Sequence, residues 1–193
     1  METYKQIDLN DYVQTGEGGT SLTYTHKTRP ALAKLFNVRS SESCHACMDG
    51  RVATNEDEVN PGCEAEQAEH EFLTARAVFE MGVPTPEPFQ LITDGQRQGV
   101  EYELVSNKRS FTRIISQEPE RLEEISLTFA RMTRELHATK ANTTRIPSIK
   151  DTLRRFYQEK DMVSEEYKQC ALRFIDRVPD GDTCLHGDLH IGN

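Results

Sequence analysis

The residues best suited to chemistry stand at the end of the sequence. His186-Gly187-Asp188-Leu189-His190-Ile191-Gly192-Asn193 sets an aspartate five positions before an asparagine, just after the strand-forming run Thr183-Cys184-Leu185. That is the spacing of a phosphotransferase catalytic loop. In such a loop the Asp188 carboxylate would accept the proton of an attacking hydroxyl, and the Asn193 amide oxygen would hold a magnesium ion against nucleotide phosphates. The same chemistry needs a glycine loop over the phosphates, a strand lysine to contact them and a helix carboxylate to hold that lysine. All three occur in that order: Gly16, Gly18 and Gly19, then Lys34, then Glu71. Singly, each has a plain structural reading. A glycine turn is ordinarily a hairpin, a strand lysine ordinarily snorkels, and Glu71 shares its stretch with Glu64, Glu66 and Glu69. Their order carries the argument.

These residues must be positioned by definite elements. The stretch Thr15 to Thr20 reads as a tight glycine turn between a strand ending at Tyr12-Val13 and the alternating run Leu22 to Thr25. After the Thr28-Arg29-Pro30 turn, Ala31 to Phe36 reads as a third strand. Its period of two places Leu32, Lys34 and Phe36 on one face and Ala33 and Leu35 on the other. A polar stretch follows from Ser40 to Gly62, expected to be a mobile surface excursion. Glu64 to Met81 then carries Ala65, Ala68, Phe72, Ala75 and Phe79 at helical spacing, with Gly82 placed to stop the helix. Phe89 to Ile92 and Val100 to Val105 flank the Asp94-Gly95 turn signal and read as a hairpin. Beyond Ser106 to Ser110 the pattern becomes helical: Leu122 to Leu136, Ile149 to Tyr157, and Tyr167 to Ile175 with Ser164 as its cap.

Composition narrows the possible partners. The chain has 193 residues, 36% hydrophobic and 28% charged, enough for one medium domain or a two-lobed one. Against 32 Asp+Glu stand 23 Lys+Arg, a formal charge of −9, which lacks the basic footprint of a nucleic-acid partner. No apolar run approaches the roughly 18 residues of a membrane span, and the first twelve residues lack the apolar stretch of a signal peptide. A soluble cytoplasmic protein with no membrane partner is the expectation. Five cysteines, an odd number, argue for reduced thiols. Cys44-His45-Ala46-Cys47 has metal-ligand spacing, with Cys63 and His70 as further candidates, but a second well-spaced pair is missing and a metal-free segment is expected. Cys170 and Cys184 read as small buried hydrophobes.

His186-Gly187-Asp188 with His190 and Asn193 resembles the catalytic loop of the aminoglycoside phosphotransferase and choline kinase-like family; protein kinases usually carry Arg in place of Gly187. The stretch from Glu71-Phe72 to Gly82-Val83-Pro84-Thr85-Pro86-Glu87-Pro88 is similar to that family too, as are Leu136-His137 and Pro179-Asp180-Gly181-Asp182. The resemblance implies an α+β, two-lobed protein-kinase-like fold. Its N-terminal nucleotide-binding lobe, an antiparallel sheet with one long helix, would take residues 1–106, with 40–62 as a polar insertion. An incomplete helical C-terminal lobe would take 107–193. It also implies ATP and Mg2+, and transfer of the γ-phosphate to a hydroxyl of a small molecule such as an aminoglycoside, choline or a sugar. Gly16, Gly18 and Gly19 would cover the nucleotide, Lys34 would contact its phosphates and Glu71 would orient Lys34. Glu103, Leu104 and Val105 would offer hinge backbone groups to adenine, which Leu32 would face. Asp188 would be the catalytic base, Asn193 a metal ligand, and His186 a support for the loop.

The family's second metal-binding aspartate follows the loop asparagine, and the sequence stops at Asn193. The expectation is therefore a portion of a longer enzyme that by itself transfers phosphate poorly. The main alternative is a catalytically inactive kinase-like module that binds nucleotide or a partner. A two-metal phosphoesterase, begun by Asp188 and His190, would need further ligands from later in the chain.

Overall fold

The computed structural model describes residues 3–37, 63–159 and 163–192. The segment 40–62, with Cys44 and Cys47, lies outside the described residues, as does Asn193. The described chain divides into two compact units, Met1–Leu104 with Thr144–Asp180, and Val105–Thr143 with Gly181–Asn193. The segment 144–180 groups with the first unit, where the sequence reading assigned it to a single helical lobe 107–193. A side-chain ion pair between Arg145 and Glu80 ties that segment to the N-terminal part.

The first unit is built on six strands: β1 (Lys5–Gln6), β2 (Tyr12–Glu17), β3 (Ser21–His26), β4 (Ala31–Phe36), β5 (Pro88–Thr93) and β6 (Gln98–Glu103). Their order is β1-β5-β6-β4-β3-β2, antiparallel throughout except for the parallel pair β1 and β5. The two-residue β1 left no signal in the sequence, being too short to show alternation. Helix α1 (Cys63–Glu80) ends just before Gly82, as its sequence predicts. The β5–β6 hairpin turns at Asp94-Gly95. There Asp94 Oδ1 accepts from the backbone of Gln96 at 2.9 Å and of Arg97 at 2.7 Å, and the Arg97 side chain folds back onto Oδ2.

Alternation in β4 sorts the core into two layers. Ala33 and Leu35 pack with Ile7, Tyr12, Tyr24 and Ile92 on one face of the sheet. On the other face Phe36, Leu91 and Val100 pack with Ala68 and Phe72 of α1. Tyr4 joins this second layer and its hydroxyl donates to the Ala65 carbonyl at 3.0 Å, pinning the first turn of α1 to the start of the chain. Burial, and then the charge of Glu69, raise the Tyr4 phenol to about 12, so it stays a donor.

A buried charge lies in the first layer. Glu101 is 1% exposed, and its carboxylate accepts from Tyr12 Oη at 2.9 Å, Arg29 Nη2 at 2.8 Å and Gln90 Nε2 at 2.5 Å. Burial alone pushes its acidity down. The three donors and the Arg29 charge outweigh burial, and the net shift holds the carboxyl below its ordinary pKa.

Helices α4 (Ile149–Glu159) and α5 (Glu165–Arg177) pair through Arg154 and Asp176 at 2.9 Å. Lys150 Nζ reaches the Val178 carbonyl at 2.8 Å. Ser164 occupies the N-cap of α5, but its side chain makes no capping bond. Cys170 is exposed, contrary to the buried reading, because it lies off the apolar stripe of α5 that ends in buried Ile175; Cys184 is buried as expected.

The second unit holds α2 (Phe111–Gln117), capped by the Ser110 side chain, and α3 (Leu122–Ala138). Phe111 and Phe129 meet edge to face at 5.8 Å. The strand expected at Thr183 to Leu185 is reduced to one bridge, Lys140 with Thr183, supported by the Cys184 N–H on the Thr139 carbonyl at 2.9 Å.

Candidate functional site

In the first unit, the alternation of β4 carries Lys34 to the face that α1 covers. Its Nζ donates to Glu71 Oε1 at 2.9 Å and to Oε2 at 2.7 Å. The two side chains are 29% and 27% exposed, so the pair is open on one side. An ammonium has three N–H donors, and the carboxylate engages two of them. Phe36 places its ring 5.2 Å from the same Nζ. A strand lysine fixed in this way is a pre-set cation with one donor to offer an anionic oxygen.

Two residues that the motif reading passed over complete the setting. Gly99 pairs with Leu35 across β4 and β6, and a Cβ there would lie 2.0 Å from the Lys34 carbonyl oxygen, so only glycine lets β6 run this close beneath Lys34. An isolated glycine inside a strand pattern is the available sequence signal for such an approach. Tyr102 Oη donates to Glu71 Oε1 at 2.7 Å. Burial first, and then the charge and hydrogen bond of Glu71, push its phenol well above the usual value and keep it a donor. Nothing local in the sequence marks Tyr102; its role appears only through the register that sets Leu32 opposite Tyr102 and Lys34 opposite Val100.

The glycine segment is shorter than predicted. Gly16 belongs to β2, beside an irregularity between Gln14 and Gly16, and the turn itself is 18–20, closed by the Gly18 N–H on the Ser21 carbonyl at 2.9 Å. A Cβ at Gly18 would meet nothing closer than 3.6 Å, and one at Gly19 nothing within 4 Å. Side chains would fit at both positions, so the space around the turn does not itself require glycine. Of the expected hinge, Glu103 donates its N–H to the Glu87 carbonyl at 2.8 Å and Leu104 to the Pro30 carbonyl at 3.0 Å.

The second unit carries the Asp188 loop. Gly187 has φ +83°, a region that L side chains rarely adopt, which gives a backbone reason for glycine between His186 and Asp188. His186 Nδ1 accepts from the Asp188 N–H at 3.4 Å, so this imidazole supports the turn. His190 Nδ1 accepts from the Gly192 N–H at 3.0 Å, which aims Nε2 at Asp188 Oδ2, 3.7 Å away. The far end of the loop is tied to the start of α2 by the Thr112 N–H on the Ile191 carbonyl at 3.0 Å. Asp188 is 84% exposed, a carboxylate presented from a turn rather than sunk in a core.

A profile of the phosphotransferase enzyme family matches residues 18–193. The chain belongs to this family. The match spans the lysine strand, the glutamate helix and the aspartate loop, and it agrees with the aminoglycoside phosphotransferase-like resemblance of the sequence and with an α+β kinase-like fold. A family of this kind carries out phosphoryl transfer. No curated protein matches the sequence. Among the described residues no helix is long and apolar enough to cross a membrane.

Proposed function

We propose that this phosphotransferase moves the γ-phosphate of ATP to a hydroxyl group of a small molecule, an aminoglycoside, choline or a similar compound, in the cytoplasm. The observation that carries the reading is the Lys34–Glu71 pair, a fixed strand cation open to one side. Lys34 holds phosphate oxygens, Glu71 keeps Lys34 from swinging away, and the backbone of Gly18 and Gly19, with Gly16 at the strand end, covers the phosphates. Glu103 and Val105 flank the base. Asp188 accepts the proton of the acceptor hydroxyl as that oxygen bonds to the γ-phosphorus and the bond from that phosphorus to the β,γ-bridging oxygen breaks, releasing ADP, and His186 and His190 hold the loop in the required turn.

On this reading the Asn193 amide oxygen is the ligand this chain would contribute to magnesium. Bound there, it would supply neutralisation of the phosphate charge. The charge of −9 and the odd number of cysteines support a small-molecule acceptor rather than nucleic acid, and a reducing setting.

The test is ATP turnover with magnesium across a panel of amino alcohols, sugars and aminoglycosides, run side by side on the 193-residue chain, expected to turn over poorly, and on a version extended past Asn193 with a further metal-binding aspartate, in which wild type is compared with Asp188→Asn. Loss of about 100- to 10,000-fold on substitution is expected, the usual worth of a positioned acid–base group. ATP binding by the extended version without turnover on any acceptor would favour the inactive kinase-like module instead.

A further inference from the structure

The Lys34–Glu71 pair has a third member that no motif announces. Tyr102 follows Val100, the register partner of Lys34, by two residues, so its side chain stands on the face of the sheet that α1 covers. Its phenol reaches Glu71 Oε1 at 2.7 Å, the oxygen that Lys34 Nζ also approaches at 2.9 Å. The terminal torsion of a glutamate is broad, so a lone ammonium does not settle the plane of its carboxylate. A second donor arriving from another strand does.

We infer that Tyr102 is a positioning residue for phosphate binding: its phenol fixes the plane of the Glu71 carboxylate and thereby points Lys34 before any nucleotide arrives. This rests on the reading of Lys34 as the phosphate contact. Tyr102 touches Glu71, not the phosphates, and its effect is pre-organisation, which lowers the cost of ordering the site on binding. Tyr102 also packs against the layer of Phe36, Phe72 and Val100, and a purely structural role makes a different forecast. Loss of packing would weaken every ligand of the lobe; loss of the phenol's aim would weaken only ligands that carry phosphate.

The experiment titrates the 193-residue chain and its Tyr102→Phe variant with ATP in magnesium and, separately, with adenosine. The expected result is a loss of ATP affinity of roughly three- to tenfold with adenosine affinity unchanged. Glu71→Gln should weaken ATP to a similar degree, and adding Tyr102→Phe to it should cost nothing more, because the two substitutions break one link. Equal losses for both ligands, no loss for ATP, or a Tyr102→Phe chain that does not fold would assign Tyr102 to the core alone and overturn the inference. Lys34→Ala separates this failure from failure of the nucleotide reading. If Lys34→Ala weakens ATP while Tyr102→Phe does not, only the role of Tyr102 falls. If Lys34→Ala leaves ATP affinity intact, or wild type binds neither ligand, the nucleotide reading falls and the role of Tyr102 with it.

Discussion

Glu101 and Tyr102 are neighbours in β6 whose side chains enter opposite layers of the same lobe, and each belongs to a cluster of one carboxylate, one cation and a tyrosine hydroxyl. On one face Glu101 gathers Arg29, Tyr12 and Gln90; on the other Glu71 gathers Lys34 and Tyr102. Residue types do not distinguish them. Access and closure do. Glu101 is 1% exposed and ringed by three donors, so its bonds are all spent inside the protein, whereas Lys34 and Glu71 are open on one side. A closed ion cluster holds strands together; an open one of similar composition can hold something else. A buried carboxylate such as Glu101, whose cationic partner Arg29 reaches solvent, is costly to strip of its donors but gives little evidence of function.

The comparison is broken most severely by Gly99→Ala. A Cβ 2.0 Å from the Lys34 carbonyl must push β6 from β4, the strands that carry both clusters, and overpacking against backbone costs about 3 kcal/mol or more. Stability, read by urea denaturation, and nucleotide binding should fall together. Glu101→Ala should strike one side only. It leaves Tyr12 and Gln90 without their acceptor and is expected to lower stability by about 2–3 kcal/mol, with Arg29 escaping part of the penalty because it reaches solvent. ATP affinity per folded molecule should not change. Glu71→Gln should do the reverse, weakening ATP by about tenfold while shifting stability by less than about 1 kcal/mol, as expected for a partly exposed pair. If Glu101→Ala weakens ATP as much as Glu71→Gln does, the division into closed and open clusters is wrong.

The smallest effect is on the acid side of the stability curve. Glu101 is harder to protonate folded than unfolded, so its contribution is present above the unfolded carboxyl pKa of about 4.3 and is lost as pH falls through the lower folded value. Asp94 has the same sign: burial opposes its ionisation, but the Arg97 and Gln96 N–H groups and the Arg97 guanidinium prevail. Stability measured against pH should therefore decline below about pH 4. In Glu101→Gln the decline should be shallower but not absent, since Asp94 remains.

The part of the site legible in the sequence was the part encoded by local pattern. Lys34 stood out because it interrupts an apolar alternation, whereas Glu71, one of several acids on its helix, was picked out by its place in the order of glycine turn, strand lysine and helix carboxylate. Asp94-Gly95 announced its hairpin in two residues. Glu101 and Tyr102 carried no such mark. In Gly99-Val100-Glu101-Tyr102-Glu103 a charged residue within a strand reads as solvent-facing, and it is buried only because Arg29, Tyr12 and Gln90 arrive from three other places in the chain. Pairings of that kind depend on sheet register, which local patterning does not specify for a strand covered on both faces. Likewise Thr183 to Leu185 has strand-forming residues but meets a partner only at Lys140, so propensity yielded to the lack of a continuous edge.

The bond from Tyr4 to the Ala65 carbonyl bears on how such a lobe can change over generations. Helix α1 takes anchorage from a residue 61 positions earlier and from the sheet beneath it. These two contacts act on α1 whatever the length of chain between Asn37 and Cys63. Insertions and deletions there can accumulate at little thermodynamic cost, since loop closure grows only slowly with length. Drift in that stretch and constancy of the lysine clamp are, in this architecture, separately heritable.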